Sequence, residues 1–213
     1  MSLLILPPSR TPLRHQPIAL ADELHFDPGV VRRAVAKLEL DAGKSHSRGL
    51  LIRSDLHGFK VADARRALVG LPTPGDYRVV IKPLRYRTRP SLSGLCEFDI
   101  GRIIVRIPEP FRPFDELVYF NARRKRGAGM RFAWVAEKVR FRTRREVLRF
   151  VYCHEWLHWY LREVRGRRSG AETACDRFAL RNFRRRQVTV DDALEALQGT
   201  RMQLLPDYLR MAA

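Results

Sequence analysis

The spacing of apolar positions changes twice along the chain, and each change marks a change of element. Behind Asp27-Pro28, an N-cap followed by proline at a first helical position, Val30, Val31, Ala34, Val35 and Leu38 recur at helical spacing and predict a helix over residues 28 to 40. A shorter helix is expected over 18 to 24. Leu50-Leu51-Ile52 and Phe59-Lys60-Val61 flank residues 54 to 58 in the manner of a small hairpin. Pro72-Thr73-Pro74-Gly75-Asp76 cannot continue regular structure and ends this part of the chain. Beyond it the period is two. Residues 77 to 83 are rich in β-formers, and 94 to 107 read as a hairpin: Cys96, Phe98 and Ile100, then Ile103, Val105 and Ile107, alternate around a turn at Gly101.

The helical period returns at Thr143-Arg144-Arg145-Glu146, which has the form of a capping box. From 147 to 161 only Arg149, His154, Glu155 and His158 interrupt a run of Val, Leu, Phe, Tyr, Cys and Trp, so this helix is expected to be buried on most sides. His154 and His158 are four residues apart, hence on one face and ~6 Å apart, in line with Val147, Phe150, Val151 and Leu161. Two imidazoles and a carboxylate therefore enter a core. Each would cost on the order of 2–7 kcal/mol if left without a partner, so something must compensate them.

A divalent metal would. His154-Glu155-Trp156-Leu157-His158 is H-E-x-x-H, in which two neutral imidazoles bind zinc while the glutamate, about 100° round the helix, reaches a water that the metal activates. Roughly one chain in a hundred of this composition would carry the pattern by chance. The plain alternative is a pair of core histidines bonded to backbone carbonyls, which leaves Glu155 to be explained separately. Zinc needs a third protein ligand, and the six histidines, His15, His25, His46, His57, His154 and His158, leave none beyond the motif. A metzincin extension fails at Leu161 and Val164. A carboxylate is required, and Glu172, at the start of the next expected helix, is the candidate. Asp176, one turn further on, would hydrogen-bond a ligand imidazole and fix its tautomer. The competing readings are local: Ser169 with Glu172 also forms a capping box, and Asp176 could pair with Arg177 or Arg181 on the surface. Cys153 and Cys175 read as small buried residues.

These residues resemble a known group. His154-Glu155-x-x-His158 followed by Glu172-x-x-Cys175-Asp176-x-Phe178-Ala179 is similar to the gluzincin metallopeptidases, and within them to the compact ImmA/IrrE type, with Cys175 in place of a small alanine. The 14-residue step from His158 to Glu172 is similar to that of the SprT-like proteases. The resemblance implies an α+β, zincin-like domain holding Zn2+, and a hydrolase acting on a protein or peptide. Zinc would polarise the scissile carbonyl and acidify water, with Glu155 as general base. The strand over 102 to 107 would be the edge that pairs with an extended substrate. Tyr86, Tyr119 and arginines elsewhere are candidates for steadying the oxyanion, since Tyr152 and Tyr160 are rotated away from the histidine face.

Composition adds a second theme. In 213 residues, 45% apolar and 30% charged, 41 Lys and Arg stand against 23 Asp and Glu, a net +18. Disorder, collagen and coiled coil are excluded as the main character, and a polyanion is the expected neighbour. Residues 121 to 150 hold 11 Lys and Arg and only Glu137 and Glu146 as acids, which makes Arg123, Arg124, Lys125 and Arg126 candidates for phosphate contact unless the run is merely a solvated shoulder. Residues 18 to 61 resemble a winged helix-turn-helix, in which Arg32, Arg33 and Lys37 would face a major groove; the same stretch could instead be a helix and hairpin packed as structural support. The expected division is a tail over 1 to 17, this appendage over 18 to 61, the zincin-like domain over 62 to 187, and a helix or tail over 188 to 213. A different class of reading also fits: a basic DNA-binding regulator on a catalytically silent zincin scaffold. Three scattered cysteines without C-x-x-C, and no apolar run near the ~20 residues of a membrane span, point to a reducing, cytoplasmic setting, at or away from the nucleoid, and no membrane partner.

Overall fold

The computed structural model describes residues 50–125, 131–167 and 171–202, and they form a mixed α+β body. Strand β1 (Ile52–Ser54) runs parallel to β2 (Arg78–Leu84), with helix α1 (Val61–Leu68) as the crossover between them. Strand β4 (Arg102–Pro108) lies parallel to β2 on its other side, and β3 (Ser93–Glu97) pairs antiparallel with β4, giving the order β1-β2-β4-β3. The expected hairpin over 50 to 61 does not form. Ile52 is hydrogen-bonded into the parallel sheet opposite Val79, and the second arm of the supposed hairpin is the start of α1. A short apolar run flanked by turn residues fits either pairing, and the core face of β2 selects the parallel one.

The expected hairpin after the proline break does form, but its first arm ends earlier. β3 stops at Glu97, the turn closes with Gly101 N–H donating to the Phe98 carbonyl, and Ile100 is left exposed. In β4, Ile103, Ile104 and Val105 are buried in succession, as a strand covered on both faces requires.

Helix α2 (Arg144–Trp159) lies on the face of the sheet that carries Val79, Ile81, Ile103 and Val105. Thr143 caps it as its sequence suggests, accepting from Glu146 N–H at 3.2 Å, while the Glu146 carboxylate returns its bond to the amide of Arg142 rather than Thr143. The proline break is stapled to this helix. The Tyr152 hydroxyl donates to the Pro72 carbonyl at 2.7 Å and the Trp156 indole to the Thr73 carbonyl at 3.1 Å. Buried aromatic hydroxyl and indole groups thereby obtain partners from a segment that has no ladder of its own. A π-helical turn, Tyr160–Val164, and Gly166 at φ +63° end α2, and the chain returns as α3 (Glu172–Asn182) and then α4 (Val190–Met202). None of these helices is long and apolar enough to cross a membrane.

Two buried arginines lock the layers without a carboxylate partner. The Arg149 guanidinium donates to the carbonyls of Ala67 and Val69, where α1 ends, and of Phe183 and Arg185, where α3 ends. Helix C-termini leave carbonyls unsatisfied and carry partial negative charge, so one cation serves both ends. Gly70, which follows α1 at φ +79°, lets the chain pass close by: a Cβ there would lie 2.0 Å from the Arg186 carbonyl oxygen. Arg177 on α3 donates to Phe120 and Ala196. Phe120 sits at a bulge in the second sheet, the antiparallel ribbon β5 (Phe114–Lys125) and β6 (Arg131–Phe141), whose register shifts between Tyr119 and Asn121. A bulge frees a carbonyl from the ladder, and Arg177 takes it.

Replacing Arg149 with methionine should therefore leave carbonyls unsatisfied at two helix ends and lower unfolding stability by about 3 kcal/mol, read by urea denaturation. Arg149→Lys, whose compact ammonium cannot span both ends, should recover only part of the loss. Unchanged stability in the methionine variant would show that the two ends are held by something else.

Candidate metal centre

The crossing of α2 and α3 brings four of the expected site residues together. His154 and His158, one turn apart on α2, place their Nε2 atoms 3.1 Å from each other. Glu172, the first residue of α3, sets Oε2 3.3 Å from His154 Nε2 and Oε1 3.4 Å from His158 Nε2. Asp176 follows one turn later, and its Oδ1 is 2.9 Å from His154 Nδ1. The alternative pairing of Asp176 with Arg177 gives way to this arrangement. Ala171 is the N-cap of α3 and offers no side-chain cap, Ser169 lies outside the described residues, and Arg177 is turned inward to backbone carbonyls.

The donor set fits a tetrahedral dication. Zinc with ligands at ~2.0–2.1 Å holds them ~3.3 Å apart; the two Nε2 atoms are 3.1 Å apart, and Glu172 sets one carboxylate oxygen 3.3 Å from His154 and the other 3.4 Å from His158. Two imidazole nitrogens and one carboxylate oxygen could thus hold such an ion and leave its fourth position open to the cleft. Asp176 completes the logic: a carboxylate against Nδ1 keeps the proton there and presents the Nε2 lone pair to the ion.

Charge balance within the cluster points the same way. Burial pushes the His154 imidazole down, but hydrogen bonds to Asp176 and Glu172 and the nearby Glu155 charge outweigh it and raise the group to about 10. The two imidazoles hold Glu172 well below the usual carboxylate range. Burial raises Glu155 above its ordinary value, opposed by the neighbouring histidines and by a hydrogen bond from the Cys96 amide. Burial also pushes the Cys96 thiol up to about 12, which keeps it protonated beside these acids.

Glu155 reaches the sheet edge because β3 has no side chain at Gly94. A Cβ there would stand 2.5 Å from Glu155 Oε1 and 2.5 Å from Val151 Cγ1. A glycine inside a strand is a sequence signal for a close approach, and it was the one available sign of this contact. The edge itself differs from expectation. The strand over 102 to 107 is β4, paired on both sides, and the open edge beside the histidines is β3. Since the Cys96 amide points to Glu155, strand alternation turns the main-chain groups of Gly94 and Cys96 away from β4.

A cleft of ≈ 1370 Å³ runs between β3 and the β5–β6 ribbon with the cluster on its floor. Leu92 and Phe98 line one wall, Leu117, Tyr119 and Lys138 the other. Among the described residues Tyr119 is the tyrosine that lines this cleft; Tyr86 donates to the Pro110 carbonyl, Tyr152 to Pro72, and Tyr160 stacks on Trp156. Of the residues expected to contact nucleic acid, Arg32, Arg33, Lys37 and Arg126 lie outside the described residues, while Arg123, Arg124 and Lys125 belong to the distal half of β5. Set against known proteins, the chain matches no family model, no curated protein and no solved structure.

With its pKa raised from 6.5 to about 10, His154 stabilises the metal-free fold below pH 6.5, and that contribution is lost as pH rises towards 10. A dication must displace the same proton. Titrating Zn2+ into chelator-treated protein at pH 7.5 should release about one proton per ion bound, and affinity should climb as pH rises, read by calorimetry in buffers of different ionisation enthalpy. Metal uptake without proton release would contradict this charge assignment.

Proposed function

We propose that this chain is a zinc-dependent endopeptidase of the gluzincin kind on a zincin-like α+β scaffold. The observation that carries the reading is the convergence of His154, His158 and the Glu172 carboxylate, with the Glu155 carboxylate lining the same cleft from the next position on the helix. Two imidazoles, one carboxylate and an open position are the donor set of a hydrolytic zinc site rather than a closed structural one. When bound, the metal supplies Lewis acidity and a water acidified towards neutrality. The chain supplies the rest. Glu155, whose carboxyl burial raises above its ordinary value, takes a proton from the attacking water and returns it to the departing amine. Asp176 holds the His154 ring in one tautomer and one orientation. The free edge of β3 offers main-chain donors and acceptors to an extended peptide, so the scissile bond is laid over the cluster by strand addition. Three buried free cysteines accord with a reducing, cytoplasmic compartment.

The decisive experiment measures metal and activity in the same preparations. Protein purified without chelator should carry about one zinc per chain, and His158→Ala should lose it. Glu155→Gln should keep the metal while cleavage of an unfolded casein substrate drops on the order of 10²–10⁴-fold. Gly94→Ala, which forces Glu155 aside, should likewise lower activity with metal content intact. Full activity of Glu155→Gln would remove the general-base role, and metal-free protein with full activity would remove the whole reading.

A further inference from the structure

One face of the β5–β6 ribbon is apolar and begins inside the cleft. The register opposes Leu117 to Lys138, Tyr119 to Ala136 and Ala122 to Trp134. Directly opposed residues share a face, and residues 134, 136 and 138 alternate back to it, so Leu117, Tyr119 and Trp134 form one strip. They are 53%, 42% and 62% exposed. Leu117 and Tyr119 line the cleft across from Leu92 and Phe98, and Trp134 continues the strip beyond the bulge. Leu95, also exposed, lines the cleft from β3. Among the described residues, three of the seven exposed large apolar side chains therefore border this one depression. Apolar surface gathered around a cleft marks a place that is covered when the cleft is filled.

Charge inside the cleft narrows the choice of occupant. Five of its lining residues are acidic and two, Arg89 and Lys138, are basic, although the chain as a whole carries +18. A bound dication offsets only part of that surplus. Acidic ligands are therefore disfavoured where apolar ones find matching walls. Resting on the peptidase reading, we propose that the substrate is an extended segment with large apolar side chains at alternate positions, laid against Leu117, Tyr119 and Trp134. An extended chain presents every second side chain to one side, and Leu117 and Tyr119 repeat at the same two-residue interval, so apolar residues at i and i+2 meet them in turn. The free edge of β3 across the cleft offers that segment its main-chain bonds. Folded proteins bury this alternating pattern in their sheets, so the segments that fit are those an unfolded protein exposes.

The test reads binding and cleavage separately, on the full chain. Fluorescein-labelled peptides built of Ser, Thr and Gln carry guest residues at three alternate positions, either Leu, Asn or Glu. Binding is measured by anisotropy on Glu155→Gln protein, so that turnover does not consume the peptide, and kcat and KM are measured on the parent. The Leu peptide should bind at least about tenfold more tightly than the Asn peptide, and the Glu peptide most weakly. Its advantage in cleavage should lie in KM. Trp156 and Trp159 are buried, so a blue shift of tryptophan emission on binding the Leu peptide reports Trp134. Leu117→Asn with Tyr119→Asn should abolish the preference with zinc content retained, whereas Tyr119→Phe, which keeps the apolar wall, should preserve it. Equal binding of the three peptides, with cleavage intact, would overturn the selectivity and leave the peptidase. Leu-selective binding with no peptide cleaved by the parent would sustain the apolar-peptide site and remove the peptidase. Self-association that the asparagine substitutions abolish, without any preference for Leu, would assign the strip to a second copy of the chain and overturn the proposal.

Discussion

An apolar interior must hold two imidazoles and the Glu155 carboxylate, with Asp176 part-buried and Glu172 exposed at its rim, and the rest of the molecule is arranged around that requirement. Glu155 is 7% exposed and the side chains of His154 and His158 are 17% and 15% exposed, while their neighbours on α2 are Val151, Trp156 and Leu157. No single helix could satisfy such a cluster, because residues on one face stand in a row and cannot converge on a point. Convergence needs a second helix approaching from another direction, and α3 does so with Glu172 at its first position, where the peptide dipoles favour a carboxylate. The π-helical turn and Gly166 that separate the two helices therefore belong to the site as much as its ligands do.

Holding that crossing in place falls to Arg149 and Arg177. Both are buried, both act on backbone carbonyls, and between them they tie α1, α2, α3, α4 and the ribbon bulge. Burial lowers the pKa of each guanidinium, yet each makes several bonds to backbone carbonyls, most of them at a helix end or a bulge that would otherwise leave them unpaired. Neutral hydrophobic residues of the same size could fill the space but could not take those bonds, so these two positions supply specificity of arrangement as well as packing.

How much of this could be read from the sequence depended on where the partners were. Helical spacing, a local property, relates His154 to His158 and Glu172 to Asp176, while the crossing of two helices brings the two pairs within hydrogen-bonding distance. The buried character of α2 was equally visible in its residue types. By contrast, nothing about Arg149 or Arg177 announces a core residue, because their partners are carbonyls far along the chain that carry no side-chain identity. Pairing between strands was hidden for the same reason. Leu50-Leu51-Ile52 fits a hairpin or a parallel ladder, and only the presence of β2 decides; the residues of β4 do not reveal that β3 will cap one side of them.

The remaining tension is electrostatic. A chain of net charge +18 is a poor host for a dication at long range, yet the Glu172 carboxylate that could hold one with His154 and His158, and Asp176 behind His154, lie within a few ångströms of those imidazoles. Screening resolves this: beyond a Debye length of ~8 Å at physiological salt the surface cations contribute little to a buried site, whereas ligands in contact are barely screened.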